Sequence, residues 1–392
     1  MGYEPLTAEQ RELRDAVRTL VREKVAPRAA SVDESHEFPW DVVELFRAAE
    51  VFGLPFEERY GGTGTGTLMV LVAAEEIAKA CATSSLLLLV QELGSLALKL
   101  SGSEAQKARC LPKLASGEWL AAYALTEAGS GSDSAAMRST ARRERDSYVL
   151  DGTKRFITNA GVASLYTVFA KTDPAAGHRG VSCFLVEVDT PGFAVARLEP
   201  KMGIAGSTTG ELVFGGCRIP AGNLVGAEGE GFAIAMRVLD RSRPGVAAQA
   251  LGIAQGATDY ALEYAKTRET FGKPIAEHQL VAAKLADMET RCEAARGLLY
   301  RVGRMIDDGV DGPPLTKAAA MAKLFCSDVA MEVTTEAVQV LGGYGYVKEY
   351  PVERMMRDAK ITQIYEGTNE IQRLVIAREM LRESRASVLG AA

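Results

Sequence analysis

The sequence predicts an α+β protein of three domains: an N-terminal all-helical domain, a central β-barrel domain and a C-terminal four-helix bundle. Three observations predict this architecture. Apolar residues recur at helical spacing as far as Leu120, short β-rich runs then follow, and the helical period returns in longer stretches after Gly231. We place the domains at residues 1–120, 121–230 and 231–392. The length of 392 residues suits two to three compact units.

The composition excludes several classes of protein. Hydrophobic residues make up 47% of the chain and charged residues 24%, which are ordinary values for a folded globular protein and argue against wholesale disorder. The net charge of −6 is too acidic for a protein that binds nucleic acid by general electrostatic attraction. We therefore expect no nucleic-acid partner, although a local basic patch stays open.

Cysteine usage and the N-terminus predict a compartment. The six cysteines lie far apart with no CxxC pair, so we expect buried thiols without disulfides in a reducing environment. The opening MGYEPLTAEQ has neither an apolar signal core nor the Arg-rich character of a transit peptide. No uninterrupted apolar run approaches the roughly 18 residues that span a bilayer. We therefore expect a cytoplasmic protein with no membrane span.

The first domain begins with a capping box. Thr7 and Gln10 have the spacing that closes a helix N-terminus, and apolar residues follow at helical spacing until Pro27. Similar patterns predict further helices, with the glycine-rich segment Gly61–Gly66 as a loop between two of them. These helices are expected at residues 42–49, 68–80, 86–100 and 105–115.

The second domain is predicted from short runs rich in β-branched and aromatic residues. Glycine, proline, aspartate and asparagine separate the runs, and strands at this spacing indicate a small barrel or sandwich. The runs are residues 148–150, 156–157, 165–170, 181–186, 193–195 and 212–214.

The third domain is predicted from two long amphipathic patterns. Apolar residues recur in steps of three and four over residues 285–306 and again over residues 322–340. The short connections Gly309–Pro314 and Gly342–Gly345 favour antiparallel neighbours in an up-and-down bundle.

Several kinds of catalytic centre are not supported by the sequence. Only three histidines are present, and without an HExxH pair or a nearby cysteine or carboxylate cluster we expect no metal. There is no GxSxG elbow and no Walker loop. The glycine-rich runs also do not match the GxGxxG fingerprint of a Rossmann site.

Three polar, glycine-containing segments lie at predicted element boundaries. Residues 123–133 (YALTEAGSGSD) offer backbone N–H groups and hydroxyls in a turn suited to an anionic or heteroaromatic ligand, with a capped surface turn as the alternative. Residues 156–161 (FITNAG) place an aromatic ring and a hydroxyl on one strand face, and ordinary turn chemistry explains the rest of the segment.

The third segment, residues 364–373 (IYEGTNEIQR), contains a carboxylate at the start of a helix. Thr368 is a candidate N-cap for the amphipathic helix that follows, so Glu366 lies just before the first turn among apolar and aromatic neighbours. Such a residue either complements the helix dipole or, in an apolar pocket, has a raised pKa and accepts protons. The residues alone leave both interpretations open.

Six sequence strings together carry a family resemblance. They are YALTEAGSGSD, RFITNAG, RETFGKPI, QVLGGYGY, YPVERMMRDAK and IYEGTNEIQRLVIAR, in this order. With them the chain resembles the acyl-CoA dehydrogenase family of flavoproteins over nearly all its length, as far as Arg382. The fold that this resemblance implies is a helical domain, a β-barrel domain and a second helical bundle, which agrees with the independent prediction above.

The resemblance implies FAD in a cleft between the β domain and the C-terminal helices. The residues that match contacts to the flavin ring are Tyr123, Leu125, Thr126, Phe156 and Thr158. The ring's far face and the dinucleotide tail would be contacted by the Gly367–Thr368 turn and Glu370. A further set matches contacts to the FAD of a neighbouring subunit, so the resemblance implies at least a dimer. The usual assembly in the family is a homotetramer, which is a dimer of dimers. This set is Arg268, Thr270, Phe271, Gln279, Gln339, Gly342 and Gly343.

The resemblance also implies the reaction. Glu366 matches the catalytic base, which removes the α proton of an acyl thioester while the β-hydrogen leaves as hydride to the flavin. The Glu366 backbone N–H and a ribityl hydroxyl polarise the thioester carbonyl. Some members place the base just before the residue that Arg243 matches, and since this chain has Ser242 there, the assignment to Glu366 is strengthened. Residues that match substrate contacts are Ser132, Asp240, Arg243, Tyr365 and Gly367.

Two features leave the chemistry open. Phe156 stands where tryptophan is common in the family, which keeps an aromatic face but loses an indole N–H donor and leaves the flavin potential undetermined. The identity of the acyl group is the second feature that the sequence leaves open. Leucine crowding on the helix that carries Ser84, Ser85 and residues 86–89 favours a short or branched acyl chain on CoA, with a carrier-protein thioester as the alternative.

The electron acceptor separates the remaining hypotheses. A dehydrogenase of this family passes electrons to an electron-transferring flavoprotein. An oxidase or monooxygenase, in which oxygen reacts with reduced flavin, is the alternative, and Glu366 argues against it. A flavin-binding or acyl-binding scaffold without turnover is disfavoured because the chain retains both the base and the FAD motifs.

Overall fold

A computed structural model describes residues 6–389 of the chain, with side chains as far as Ser384. Residues 1–5, on which the expectation about an N-terminal leader partly depends, and residues 390–392 lie outside this range. The predicted capping box is present. The Gln10 N–H donates to Thr7 Oγ1 at 3.2 Å, and the Thr7 N–H donates to Gln10 Oε1 at 3.0 Å.

Helices form the whole first part of the chain. A second capping box, formed by Ser103 and Gln106, caps the N-terminus of the last of them. The predicted glycine-rich loop at Gly61–Gly66 lies between two helices as expected. The helices are α1 (Ala8–Leu20), α2 (Ala29–Ser35), α3 (Trp40–Ala48), α4 (Thr67–Ala80), α5 (Ala82–Ser101) and α6 (Glu104–Ala115).

Helix α5 has the length and composition of a membrane-crossing helix, although its apolar residues do not form one uninterrupted run. Within the described residues it is the one helix with these properties. In the folded protein 83% of its apolar window is buried, and α5 packs against α7 (Gly231–Thr267) and the first strand of the sheet. Such burial is typical of a core helix.

Eight strands form one sheet in the middle of the chain. They are β1 (Ala121–Ala124), β2 (Thr140–Glu144), β3 (Ser147–Thr158), β4 (Leu165–Lys171), β5 (Val181–Glu187), β6 (Phe193–Leu198), β7 (Thr209–Pro220) and β8 (Leu224–Val225). The sheet order is β6-β7-β3-β2-β4-β5-β8, with β1 parallel to β4. The sequence predicts a barrel or sandwich. In the described chain the end strands β6 and β8 do not pair with each other, so hydrogen bonds between them do not close the sheet.

Strand β3 joins two runs that the sequence predicts as separate strands. It pairs antiparallel with β7, and the register shifts beside Gly152 and again between Lys154 and Ile157. The second shift marks a bulge that bends the strand at Phe156. Strand β2 escaped prediction because its sequence, TARRE, carries three charged residues and a single β-branched one.

Five helices follow the sheet, so a short fifth helix accompanies the predicted four-helix bundle. The helices are α7, α8 (Gln279–Asp307), α9 (Pro313–Leu341), α10 (Val352–Thr362) and α11 (Asn369–Leu389), with a hairpin of β9 (Glu269–Thr270) and β10 (Lys273–Pro274) after α7. Pro244 lies inside α7. Because proline has no N–H, the Asp240 carbonyl lacks its usual helical hydrogen bond there.

Three apolar cores hold these elements together. The first packs the helices of the first and third domains around α4, α5, α7 and α9. The second joins α5, α6 and the first turns of α7 to the sheet through residues such as Leu96, Phe169 and Val238. The third lies within the sheet domain. Because the second core includes β1 and α7 together, it brings the end of β1 close to the residues of α7 that follow Val238.

Candidate active site

A short loop between α10 and α11 carries the predicted catalytic base. Glu366 has a left-handed backbone with φ of 54°, Gly367 follows with φ of 94°, and α11 begins at Asn369. Thr368 caps this helix as predicted, since its Oγ1 accepts from the Ile371 N–H at 3.4 Å. A glutamate in this backbone region is strained, and strain of this kind is characteristic of functional positions.

The Glu366 carboxylate lies against α7. Ser242 Oγ donates to Glu366 Oε2 at 2.5 Å, and the positive charges of Lys323 and Arg243 act on the same carboxylate. Burial raises the pKa of Glu366 above its usual range, while Ser242 and the two cations offset part of that rise. The group is therefore a half-buried carboxylate whose proton affinity suits a general base.

Asp240 and Arg243 form a pair one turn apart on α7. Arg243 Nη1 donates to Asp240 Oδ1 at 2.7 Å, and Thr316 Oγ1 donates to Asp240 Oδ2 at 2.6 Å. Both carboxylate oxygens of Asp240 are thus used inside the protein, where they anchor the buried Arg243. Arg243 Nε is buried and has no hydrogen-bond partner among the described residues. Contact of either residue with substrate stays a prediction.

Hydrogen bonds join the two predicted flavin segments, which follow β1 and end β3. The Arg155 N–H donates to the Thr126 carbonyl at 2.9 Å, and Lys154 Nζ donates to the Leu125 carbonyl at 3.1 Å. Lys154 Nζ also forms a buried ion pair with Glu127 Oε1 at 2.8 Å. The end of β1 and the second half of β3 therefore form one continuous surface.

Tyr123 connects this surface to the base. Its hydroxyl is buried without a hydrogen-bond partner in the described part of the chain, and its ring lies 5.1 Å from that of Phe169. Burial raises the pKa of Tyr123, and the charge of Glu366 raises it further, because the two groups lie near each other. The structure thus brings the first predicted segment to the loop that carries Glu366.

The residues at this meeting point fit a flavin. The Phe156 ring is 58% exposed on the β3 bulge, where its φ is 58°. Close by, the Asn159 N–H donates to the Thr208 carbonyl, and Thr208 Oγ1 is buried with no partner among residues 6–389. The exposed aromatic side chain of Phe156 and the unpaired hydroxyls of Thr208 and Tyr123 are chemically suited to a flat ring with polar edges. When bound there, FAD supplies the two-electron acceptor.

The other predicted contacts lie at the surface or are half-buried. Thr158 is half-buried at the end of β3, Glu370 is exposed in the first turn of α11, and Ser132 is exposed in the loop after β1. Their roles stay predictions. In the described range no group of three or more His, Cys, Asp or Glu side chains is arranged to hold a metal ion. The six cysteines are free and buried.

The residues predicted to reach a neighbouring subunit form an exposed group around the β9–β10 hairpin. The Arg268 guanidinium lies over the Tyr344 ring at 5.4 Å. Phe271 is 98% exposed with φ of 51°, and its ring meets the edge of His278, which also contacts the Thr270 hydroxyl at 3.2 Å. The other members, which are all exposed, are Gln279, Gln339, Gly342 and Gly343. Their contact with a second subunit stays a prediction.

Two buried polar residues near the base were not identified from the sequence. Gln249 on α7 donates to the Ala82 carbonyl at 2.9 Å and to Ser85 Oγ at 3.1 Å, and it accepts from the Tyr365 hydroxyl. Lys323 on α9 is the second, and it is entirely buried. In each case the indication in the sequence was a single long polar side chain among the apolar residues of a predicted helix face.

Three family models match successive parts of the chain. They describe the N-terminal, middle and C-terminal domains of acyl-CoA dehydrogenase and match residues 7–118, 122–217 and 229–381. With these matches, the helix–sheet–helix fold and its site define an FAD-dependent oxidoreductase that acts on acyl-CoA. The chain belongs to the acyl-CoA dehydrogenase family.

Characterised relatives resemble the chain over almost its full length. Cyclohexane-1-carbonyl-CoA dehydrogenase of Geobacter metallireducens is 49% identical over 96% of this chain and 98% of its own. The structure of butyryl-CoA dehydrogenase from Megasphaera elsdenii is 44% identical, with a TM-score of 0.94 over 96% of this chain and 99% of that one. A structure described as an electron transferring flavoprotein of Acidaminococcus fermentans is 43% identical, with a TM-score of 0.95 over 97% and 100%.

Proposed function

We propose that the protein desaturates a short acyl-CoA at the α,β-bond with Glu366 as the base. The Glu366 carboxylate takes the α proton. Bound FAD would supply the acceptor for the β-hydrogen and its electron pair, so that a carbon–carbon double bond forms between the two carbons. The observation that carries this proposal is the carboxylate itself. It is half-buried, lies on a strained loop and accepts a hydrogen bond from Ser242.

The loop also has a donor for the thioester carbonyl. The Glu366 N–H precedes the first turn of α11, where the positive end of the helix dipole favours a developing negative charge. Ser242 holds the carboxylate by a single hydrogen bond and leaves its other oxygen available to the α proton. Polarising the carbonyl and accepting the proton are therefore tasks of the same residue.

The direct test is the visible spectrum of the purified protein during anaerobic titration with a panel of thioesters. Acyl-CoA and acyl-carrier-protein esters of increasing length and branching are added, and loss of the flavin band identifies both the reaction and the preferred carrier. We expect bleaching by a short acyl-CoA and slow reoxidation when air is admitted. Fast reoxidation would favour an oxidase, and no bleaching by any thioester would reject the proposal.

The contacts of Gln249 support a short acyl chain. Ser242 and Gln249 are seven residues apart on α7, which places them about 10 Å apart along the helix. Ser242 contacts the base, while Gln249 ties α7 to α5 and to Tyr365. Between them, a Cβ on Gly245 would approach Leu89 Cδ2 of α5 to 2.9 Å, so the two helices lie close there. We infer that Leu89 and Gln249 limit the depth available to an acyl chain beyond the reacting carbons.

Shortening Gln249 is expected to lengthen the preferred substrate. In Gln249→Ala the rate of bleaching by a longer acyl-CoA, relative to butyryl-CoA, should rise roughly tenfold, since each additional methylene in an apolar pocket is worth about 1–3 kcal/mol. Gln249→Met keeps the volume without the amide and should retain the wild-type preference. The same length preference in all three proteins would show that Gln249 does not limit the cavity.

For partner and assembly we propose an electron-transferring flavoprotein as acceptor and a homotetramer as the working form. The similarity to the Acidaminococcus fermentans structure supports the first part. Exposed apolar side chains support the second. Phe271 belongs to the predicted inter-subunit group, Leu280 and Tyr346 lie close to its members in sequence, and Leu374, Met380 and Leu381 lie on α11. Apolar surface of this extent is characteristic of protein–protein contacts.

We expect Arg268→Ala to weaken flavin retention and subunit association together. Arginine at a subunit contact commonly contributes more than 1 kcal/mol, so each property should weaken roughly tenfold. Flavin release on dilution and sedimentation velocity measure the two effects. Lys266→Ala, at an exposed position in the last turn of α7 two residues before Arg268, serves as the control, since Lys266 pairs only with the exposed Glu263 among the described residues. Full flavin occupancy in a stable monomer would contradict the shared site.

A further inference from the structure

Lys323 lies directly behind the loop that carries the base. Its side chain is fully buried on α9, and Nζ donates to the Gly367 carbonyl at 2.9 Å and to Asn369 Oδ1 at 2.8 Å. The first acceptor belongs to the Glu366–Gly367 turn, and the second belongs to the first residue of α11. Lys323 therefore fastens the backbone of the strained segment to α9, while Ser242 of α7 contacts the carboxylate.

Neither hydrogen bond requires a lysine. Gln372 Nε2 already donates to the Gly367 carbonyl at 2.8 Å, and a neutral donor at position 323 would serve Asn369 Oδ1, because the single hydroxyl hydrogen of Ser327 is directed to the Lys323 carbonyl at 2.7 Å. Burying an ammonium group costs several kcal/mol, and an apolar residue of the same volume would avoid that cost. Burial lowers the pKa of Lys323 to about 7, and the nearby Glu366 charge opposes the shift. The position keeps a costly charge that packing and hydrogen bonding alone do not explain.

We propose that Lys323 is a positioning residue that holds the Glu366 loop from behind and supplies the buried positive charge that keeps the Glu366 carboxylate ionised. The proposal rests on the assignment of Glu366 as base. Lys323 makes no contact with the carboxylate itself, so it acts through the loop and through the electric field. It favours a carboxylate that is ready to accept the α proton when the substrate binds.

Other charged and titratable groups face this pair from each element packed against it. They are Arg243 and Asp240 from α7, Asp328 from α9, Glu370 and Arg378 from α11, Glu92 from α5, Tyr123 from β1, and Tyr365 from the loop. Lys323 and Arg243 are the two cations that lower the pKa of Glu366. Arg243 is already paired with Asp240, which offsets part of its positive charge. Lys323 therefore lowers the pKa of Glu366 more than Arg243 does.

The test compares Lys323→Met and Lys323→Gln with the wild-type holoenzyme. Methionine removes the charge and the donors, while glutamine keeps an N–H donor without a charge. Since Gln372 still bonds the Gly367 carbonyl, we expect both variants to fold and to keep FAD, with Lys323→Met the less stable because it offers Asn369 Oδ1 no donor. Lys317→Met on the same helix, where a partly exposed lysine pairs with Glu383, is the control.

The rate of anaerobic bleaching falls at low pH as Glu366 becomes protonated. Loss of the Lys323 charge raises the pKa of Glu366, so in both variants this acid limb should move to higher pH by about one unit. At a pH below the limb that shift corresponds to about tenfold slower bleaching. Lys317→Met should have the wild-type profile. A purely structural lysine would instead change stability and leave the acid limb where it is.

Melting temperature provides a readout that does not depend on turnover. With a folded pKa near 7 and a higher unfolded pKa, the wild-type protein gains stability as the pH rises above 7, since the unfolded chain then binds the extra proton. Lys323→Met lacks this gain. Its melting temperature should therefore fall relative to that of the wild type between pH 7 and pH 9, about the range in which the lysine titrates.

The outcomes separate this inference from the proposed function. If Glu366→Gln still bleaches at the normal rate, Glu366 is not the base and the proposed function fails. If Glu366→Gln does not bleach while both Lys323 variants keep the wild-type acid limb, the base assignment stands and the role of Lys323 is overturned. A shift in Lys317→Met equal to that in the Lys323 variants would also overturn it.

Discussion

Glu366→Gln is expected to keep the flavin spectrum and to slow anaerobic bleaching by acyl-CoA about 10²–10⁴-fold. The amide has the shape of the carboxylate and still accepts the hydrogen bond from Ser242, so the loop and the flavin site should persist. It has no basic oxygen able to take the α proton. Stopped-flow absorbance at the flavin band measures the rate, and the spectrum before mixing verifies that FAD is bound.

A surface glutamate provides the control for this substitution. Glu118 is exposed in the loop before β1 and faces Lys113 across 3.7 Å, so Glu118→Gln should bleach at the wild-type rate. Thermal unfolding should show that Glu366→Gln is as stable as the wild type or more so, because the variant buries no charge. Bleaching of Glu366→Gln at the wild-type rate would reject the residue as base.

The second large effect is expected from Lys154→Met, which should lower the free energy of unfolding by about 3 kcal/mol. The substitution leaves the buried Glu127 carboxylate with only the backbone N–H groups of Arg138 and Ser139, at 2.6 Å and 3.0 Å. It also removes the donor to the Leu125 carbonyl. Because these bonds hold the segment after β1, flavin retention should fall as well.

Equilibrium urea unfolding and flavin content after dialysis measure the two consequences. Lys107→Met, which breaks a partly exposed pair with Glu104, is the matched control and should change stability by no more than about 0.5 kcal/mol. In the double variant with Glu127→Gln, removal of the unpaired charge should restore part of the lost stability. Wild-type stability of Lys154→Met would show that the ion pair does not hold this segment.

Much of the fold follows from local patterns in the sequence. The Thr7 capping box, the glycine-rich loop and the two long apolar patterns of the last domain are local signals, and all appear in the structure. Strand β2 was not predicted, because its charged sequence is stabilised by pairing with β3 and not by its own composition. The division of β3 into two runs failed for a similar reason, since cross-strand partners on β7 keep the bulged strand continuous.

Site residues could be predicted from the sequence only where they lie within a short, characteristic sequence segment. The segments that contain Tyr123, Phe156 and Glu366 were identified from sequence, and the structure brings the first and third together around the base. Lys323, Gln249 and Lys154 were not identified. Each acts on a residue more than 25 positions away, at Gly367, Tyr365 and Glu127 respectively, and such pairings appear only once the helices and strands pack.

The left-handed backbone of Phe156, Phe271 and Glu366 has a consequence for how this sequence can change over time. At all three positions glycine or asparagine would relieve the conformational penalty. Selection for thermal stability alone would therefore favour replacing side chains that are predicted to face ligand or partner, and we expect loss of activity to accompany the gain in stability. Homologues that carry small residues at these three places should be more stable, and those without a glutamate at the position of Glu366 need a base from another part of the chain.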